Sequence, residues 1–295
     1  MIAVMGASGH TGRRVAELLL DSGETVRALG RSKEKLAPLE RKGAEVRTGD
    51  AGDAAFLASA FQGAEGVFTL IPPDATSTDY RALQDKLGTA IAEAIRESGL
   101  GRVVFLSSVG ADLPAGTGPI AGLHAHEKRI RELRGIHALI LRPGYFFENF
   151  EETLGLIKHQ GINGGAIAPD VAIPMIATRD IADAAARALR ERRFQGAVVQ
   201  ELLGPRDLSH SEATRILGAR IGKPDLPYVQ FPYDDFVNAL VQTGLSANIA
   251  GLYAEMARAL NDGKVKSVEG RRPENTTPTR FEDFAVGLEE AYRAM

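Results

Sequence analysis

Hydrophobic and polar positions change their period in alternating blocks along the first half of the chain. Short strand-like runs lie at 2–5, 25–29, 45–48, 66–70, 102–107 and 137–141. Between them, at 11–22, 33–42, 53–61, 78–98 and 120–133, the period is helical. In the first of these helical runs Val15, Leu18, Leu19 and Leu20 fall on one side. Strand and helix in alternation predict βαβ units, hence a parallel sheet with helices on both faces. Right-handed crossovers then select the doubly wound strand order 3-2-1-4-5-6. Ligands in such sheets bind beyond the carboxyl ends of the strands, so the residues just after each strand carry the functional reading.

The pattern loosens after Leu141. Helices are predicted at 179–191, 209–221, 233–241 and 246–261, and strands at 197–203 and 229–231. The segment 263–277 is polar, with Gly and Pro, and reads as a surface loop. A last helix is predicted from Thr277-Pro278, as N-cap and first-turn proline, to about Ala294. The predicted sheet domain is 1–150, completed by about 175–203 and the final helix 278–294. A smaller, discontinuous C-terminal cap then takes about 151–174 and 204–277.

Composition narrows the function classes. The 295 residues are 44% hydrophobic and 25% charged, ordinary for a globular protein. A net charge of -3 makes no case for nucleic acid or an anionic membrane surface as partner. The absence of cysteine excludes disulfides, thiolate nucleophiles and cysteine metal sites, and no metal is expected. No apolar stretch is long enough to span a membrane, and the first strand begins at Ile2, so a cytoplasmic protein is expected.

The most specific motif is Gly6-Ala7-Ser8-Gly9-His10-Thr11-Gly12, set between a strand and a helix. Gly6 allows a tight turn, Gly9 lets the backbone approach phosphates, and Gly12 lets the helix pack on the strand. The helix N-terminus supplies free N–H groups and partial positive charge for a pyrophosphate. After the second strand the acid that usually binds an NAD ribose is missing; Arg31 and Lys33 stand there instead, with Arg13 near by. A guanidinium fork suits a 2′-phosphate, so NADP(H) is expected in preference to NAD(H).

Other strand ends leave two readings each. Asp50 accepts from an adenine amino group or caps the following helix. Leu70, Ile71 and Pro72 line the cofactor ribose or form a plain loop. Ser107 and Ser108 face the crevice, where a hydroxyl polarises a substrate carbonyl, or serve as turn caps. His124 and Lys128, four residues apart, share a helix face: an acid and a ribose anchor, or a solvated charged face. After Arg142, Pro143 and Gly144 give a rigid turn, placing Pro143 by the cofactor. Tyr145, Phe146 and Phe147 then floor a flat apolar substrate site or pack the cap on the sheet.

Together these residues resemble the NmrA-like branch of the atypical short-chain dehydrogenase/reductases. The resemblance rests on Gly6 to Gly12, Gly30-Arg31-Ser32, Gly49-Asp50, Val104 to Gly110 and Leu141 to Asn149. Thr178-Arg179-Asp180-Ile181-Ala182 and the ending Thr277-Pro278-Thr279…Phe281-Glu282-Asp283-Phe284 belong to it as well. It implies a Rossmann-type fold binding NAD(P), with a variable cap for the substrate. The superfamily's catalytic pair is Tyr-x-x-x-Lys; here the spacing reads His124-x-x-x-Lys128, so Lys128 takes the role of the lysine on the nicotinamide ribose and His124 stands for the tyrosine. An imidazole donates a proton near neutral pH, and a quinone needs no enzyme acid at all.

Two functions follow. One is an NADPH-dependent reductase of a small conjugated acceptor such as a quinone, with Ser108, His124 and Lys128 as catalytic residues. The other is a non-catalytic NADP(H) sensor that engages a protein partner through the aromatic segment and the loop 263–277.

Overall fold

The computed structural model describes residues 1–295. Its first half follows the predicted alternation: β1 (Ile2–Val4), α1 (His10–Asp21), β2 (Val26–Gly30), α2 (Lys33–Arg41), β3 (Glu45–Thr48), α3 (Ala54–Phe61), β4 (Gly66–Leu70), α4 (Tyr80–Ser98), β5 (Arg102–Leu106), α5 (Ile120–Glu132) and β6 (His137–Pro143). The remainder comprises β7 (Tyr145–Phe146), a 3-10 helix (Phe147–Thr153), α6 (Leu154–Gln160), β8 (Asn163–Gly165), β9 (Ile173–Ile176), α7 (Thr178–Glu191), β10 (Ala197–Leu202), β11 (Asp207–Leu208), α8 (His210–Arg220), β12 (Tyr228–Gln230), α9 (Tyr233–Gln242), α10 (Ala247–Asn261) and α11 (Phe281–Ala294).

The central sheet runs β3-β2-β1-β4-β5-β6-β10 and is parallel throughout, which is the predicted order extended by one strand. Both faces are apolar, and the strand period of two sorts the side chains. Ile2, Val4, Phe68, Val104, Leu139 and Leu141 pack under α1, α2 and α7. Ala3, Met5, Val67, Val103, Phe105 and Ile140 pack under α3, α4 and α5. Burying each large side chain contributes about 1.5–3 kcal/mol.

A third core belongs to the cap: Phe147, Phe150, Leu154, Ile157, Leu208, Leu217, Phe281, Ala285 and Leu288. It corrects two expectations. The final helix does not complete the sheet domain; α11 buries Phe281 and Leu288 among cap residues. Nor does it start at Thr277-Pro278. The chain stays extended there because buried Asp180 accepts from Thr279 N (3.0 Å) and Oγ1 (2.6 Å), and Arg280 is the N-cap.

Of the two surfaces expected to serve a sensor, the aromatic segment is largely packed inside, and the loop, though mostly exposed, is pinned to the sheet. Phe147 is fully buried, and Tyr145 packs edge-on against Phe150 and His210. The loop 263–277 is tied to the outermost strand, β10. Buried Glu201 accepts from Val268 N (2.8 Å), Glu269 N (3.2 Å) and the Ser267 hydroxyl, and Leu203 bridges Thr276. At the opposite edge, β3 carries Glu45, which pairs with Arg47 (2.8 Å) and Arg27 (2.9 Å). No helix is long and apolar enough to cross a membrane.

Two buried histidines set an acid limit. Burial pushes His126 down to about 3 and His210 down to about 4; Arg129 beside His126 acts in the same direction. Both rings stay neutral in the fold but take protons once unfolded, near pH 6.5. The unfolded chain therefore binds more protons between pH 6.5 and about 4, and stability falls as pH falls through that window. At pH 5 each histidine costs about 2 kcal/mol. Urea unfolding at pH 7.5 and pH 5 is expected to show this loss, and His126→Leu to remove about half of it. An identical pH dependence in the variant would contradict the assignment.

Candidate active site

The junction between β1 and α1 is built on glycine. Gly6 has φ +63°, and Gly9 N donates back to Gly6 O at 2.9 Å. A Cβ on Gly12 would stand 2.4 Å from Gly6 O, so no other residue lets α1 pack this close to the strand. Gly9 differs. Its backbone is extended (φ -97°, ψ 173°), and a Cβ there would meet only Gly6 O, at 3.6 Å. No side chain caps α1, and its first turn has no acid. The uncapped N–H groups open into a cleft of about 1090 Å³.

That cleft runs across the carboxyl ends of the central strands. Gly6, Ser8, Gly9, His10, Thr11 and Gly12 line it beside Arg31, Asp50, Leu70, Ile71, Pro72, Ser107 and Ser108. Ala7 lies beneath the loop, fully buried, with its N–H on Leu29 O (3.1 Å). Arg31 is exposed, while Arg13 sits behind the wall with its guanidinium on Lys35 O (3.4 Å). Asp50 does not cap α3: Asp53 does, through Phe56 N at 3.0 Å, and Asp50 accepts from Gly52 N at 2.9 Å. The cleft exceeds the roughly 300–1,000 Å³ of an ordinary ligand pocket, leaving room for a dinucleotide and a small second ligand. Glycine cradle, uncapped helix and free Arg31 fit a phosphorylated dinucleotide.

The expected catalytic pair is not brought to this wall. α5 presents Ile120 and Leu123 to the cleft. His124, one residue further round, is half-buried and holds Ala111 O through Nδ1 at 2.9 Å; Lys128 is exposed. The physical reason is helix phase: 120, 123, 127 and 130 turn inward, so 124 and 128 point aside. Of the three aromatics only Phe146 lines the cleft; Tyr145 and Phe147 belong to the cap core, and Pro143 is buried at the end of β6. The Ser108 hydroxyl donates to Val109 O at 2.9 Å.

Several wall residues escaped the sequence reading. Tyr80 and Gln84 come from α4, Tyr253 from α10, and Glu148, Glu151 and Glu152 from the 3-10 helix. Burial pushes the Tyr80 phenol up to about 12 and Tyr253 upward, so both keep their protons. Burial also raises Glu148, which accepts from Thr178 N (3.0 Å) and Oγ1 (2.6 Å) at the start of α7. It raises Glu152 too, helped by neighbouring Glu151. None of these three glutamates has an ion-pair partner. The cap also holds the cleft's rim, because Ser246 N donates to Ala75 O (2.9 Å) and Asn248 Oδ1 accepts from Tyr80 N (2.9 Å).

Behind the wall is a buried charged network. Glu127 accepts from Ser107 Oγ (2.6 Å), from Arg142 Nε (2.8 Å) and Nη2 (2.6 Å), and from Arg131 (3.3 Å). Arg142 at the end of an apolar strand was a legible signal that a buried acid must exist somewhere.

Comparison with known proteins agrees with this geometry. A family model described as the NmrA-like family matches residues 1–285. Quinone oxidoreductase 2 of Escherichia coli (strain K12) is 30% identical over 258 residues, covering 86% of each chain. The NAD(P)H azoreductase of Xenophilus azovorans is 26% identical over 305 residues, covering 100% of both chains. Among solved structures, an E. coli NADPH-dependent quinone oxidoreductase complexed with NADPH has a TM-score of 0.81 at 26% identity, covering 98% of this chain and 99% of that one.

Proposed function

The chain belongs to the NmrA-like family and is an NAD(P)H-dependent oxidoreductase, and we propose that it uses NADPH to reduce a small, flat, conjugated acceptor such as a quinone. The observation that carries this reading is the single cleft that joins the glycine cradle and Arg31 at one end to the phenols of Tyr80 and Tyr253 at the other.

Bound NADPH supplies a hydride. In this reading the uncapped turn of α1 takes the pyrophosphate, and Arg31 takes the 2′-phosphate. Pro72 and Pro73 stiffen the rim, and Phe146 and Leu123 exclude water. Tyr80 and Tyr253 are the hydroxyls left to face an acceptor oxygen, since the Ser108 proton is taken by Val109 O. A quinone suits a wall without His124 or Lys128, since its reduced oxygen is protonated by solvent.

NADPH oxidation against a quinone panel tests the proposal. Neutral benzoquinones and naphthoquinones are expected to turn over. Sulfonated ones are expected to show roughly tenfold lower kcat/KM, because the three unpaired glutamates repel an anion. NADPH binding with no turnover of any quinone would overturn the reading.

Arg31 gives a second test. A charge-assisted bond to a 2′-phosphate contributes about 1.5–3 kcal/mol. Arg31→Ala is therefore expected to weaken NADPH by about tenfold or more and to leave NADH within about twofold. Equal losses in a parallel titration would show that Arg31 does not read the phosphate.

A further inference from the structure

We propose that Glu127 is a positioning residue that makes Ser107 a hydrogen-bond acceptor for the nicotinamide half of the cofactor. The inference rests on the cofactor reading above and adds a role to two residues.

Ser107 lines the cleft just after β5 and is only 4% exposed. Its backbone is fixed, with N donating to Leu141 O at 2.8 Å. Its Oγ lies 2.6 Å from Glu127 Oε1. Glu127, 3% exposed, receives both arms of the Arg142 guanidinium and one from Arg131, so it stands as a carboxylate and can only accept. The hydroxyl proton of Ser107 is thereby committed to Glu127, and what Oγ turns to the cleft is lone pairs. A ligand group that meets it must bring an N–H or O–H. A quinone oxygen, which has no proton, is not that group.

Strand order says which part of the cofactor this is. Strands lie about 4.8 Å apart, so the end of β5 is about 14 Å from the end of β2, where Arg31 stands, with the phosphate cradle of β1 between. A dinucleotide with its 2′-phosphate at β2 and its pyrophosphate at β1 reaches β5 with its nicotinamide nucleoside. The donors there are the carboxamide amino group and the ribose hydroxyls. Rigid ion pairing of Glu127 keeps the serine in one rotamer before the cofactor arrives, so less side-chain freedom is lost on binding.

The test measures dissociation constants for NADPH and for its 3-acetylpyridine analogue, which lacks the carboxamide amino donor. Wild type, Ser107→Ala, Glu127→Gln and the double variant are compared. Ser107→Ala is expected to weaken NADPH about three- to tenfold. If the donor is the amino group, the analogue is weaker in wild type and loses nothing further in Ser107→Ala. If it is a ribose hydroxyl, the two cofactors lose equally; both results support the inference and locate the donor. Glu127→Gln is expected to reproduce the loss, because its amide donates to Ser107 and sends the serine proton into the cleft. The double variant is then no weaker than Glu127→Gln. Should Glu127→Gln not fold, Glu127→Asp keeps the charge for Arg142, withdraws from Ser107, and is held to the same expectation. Additive losses would make Glu127 merely structural and overturn the proposal, as would unchanged NADPH binding by Ser107→Ala. A wild type that does not bind NADPH at all would overturn the cofactor reading itself.

Discussion

Gly12→Ala is expected to lose both stability and cofactor, whereas Gly9→Ala is expected to keep the fold. The two glycines lie three residues apart in one motif but face different neighbours. The new Cβ at position 12 would meet Gly6 O at 2.4 Å, Gly6 C at 2.7 Å and Met5 O at 2.9 Å. All three are backbone atoms of the turn just after β1, and that turn is held on both sides by Met5 N on Phe68 O and Ala7 N on Leu29 O. Relief requires α1 to move off the sheet, at a cost of about 3 kcal/mol, the upper end for overpacking. The same displacement withdraws the first-turn N–H groups from the phosphates. Losing two such bonds, about 1.5 kcal/mol each, lowers NADPH affinity by about a hundredfold. Gly9→Ala meets no such barrier, so its Tm is expected to stay within about 1–2 °C. Any loss of NADPH affinity there reports the approach of the ligand alone, and Gly9→Val is expected to lose more. Thermal melts with and without NADPH separate the two effects. A Gly12→Ala protein with wild-type Tm and affinity would show that the junction is placed wrongly.

Arg142→Met is expected to produce the largest loss of stability among substitutions outside the glycine turn. It leaves the Glu127 carboxylate, 3% exposed, with the Ser107 hydroxyl and, as its only cation, the exposed Arg131 at 3.3 Å. Breaking a buried pair in this way costs about 3–5 kcal/mol, mostly the desolvation of the charge left behind. For a chain of this size that corresponds to a Tm lower by about 6–15 °C. Removing both charges, as in Glu127→Leu with Arg142→Met, is expected to recover much of the loss, because no bare charge remains. If the double variant is less stable than Arg142→Met, the pair contributes more than the charge balance described here.

The sheet was legible because its signals are local and repeated. The bounds of β3 and β4 were read without error, since each strand is closed by a turn and followed by a helix with its own cap. The cap was less legible. Strands of two or three residues, such as β7, β8 and β11, are shorter than any period can register. Thr277-Pro278 has the composition of a helix start, but Asp180, a hundred positions away in the chain, captures Thr279 first. The lining of the cleft was largely legible, because it sits at strand ends. The orientation of α5 was not, because spacing shows that His124 and Lys128 share a face without showing where that face points. Phase is set by what is buried, and on α5 one of the buried positions is Glu127, whose charge reads as solvent-facing until Arg142 is placed opposite it.

The two borders of the central sheet govern how the molecule behaves among copies of itself. An uncovered strand edge is a template for another chain. Along β3 a would-be partner strand meets Glu45 and Arg47, already paired with each other, and would have to desolvate both. Along the end of β10 the place is taken by residues 275–277, whose backbone exchanges hydrogen bonds of 2.7 Å with Leu203 in both directions. That cover arrives some seventy residues after the strand it protects. During synthesis β10 therefore waits with this part of its edge open, and chains shortened before the covering segment keep it open permanently. Crowding, a small matter for the finished molecule, is then most hazardous in the interval before its last few dozen residues have been made.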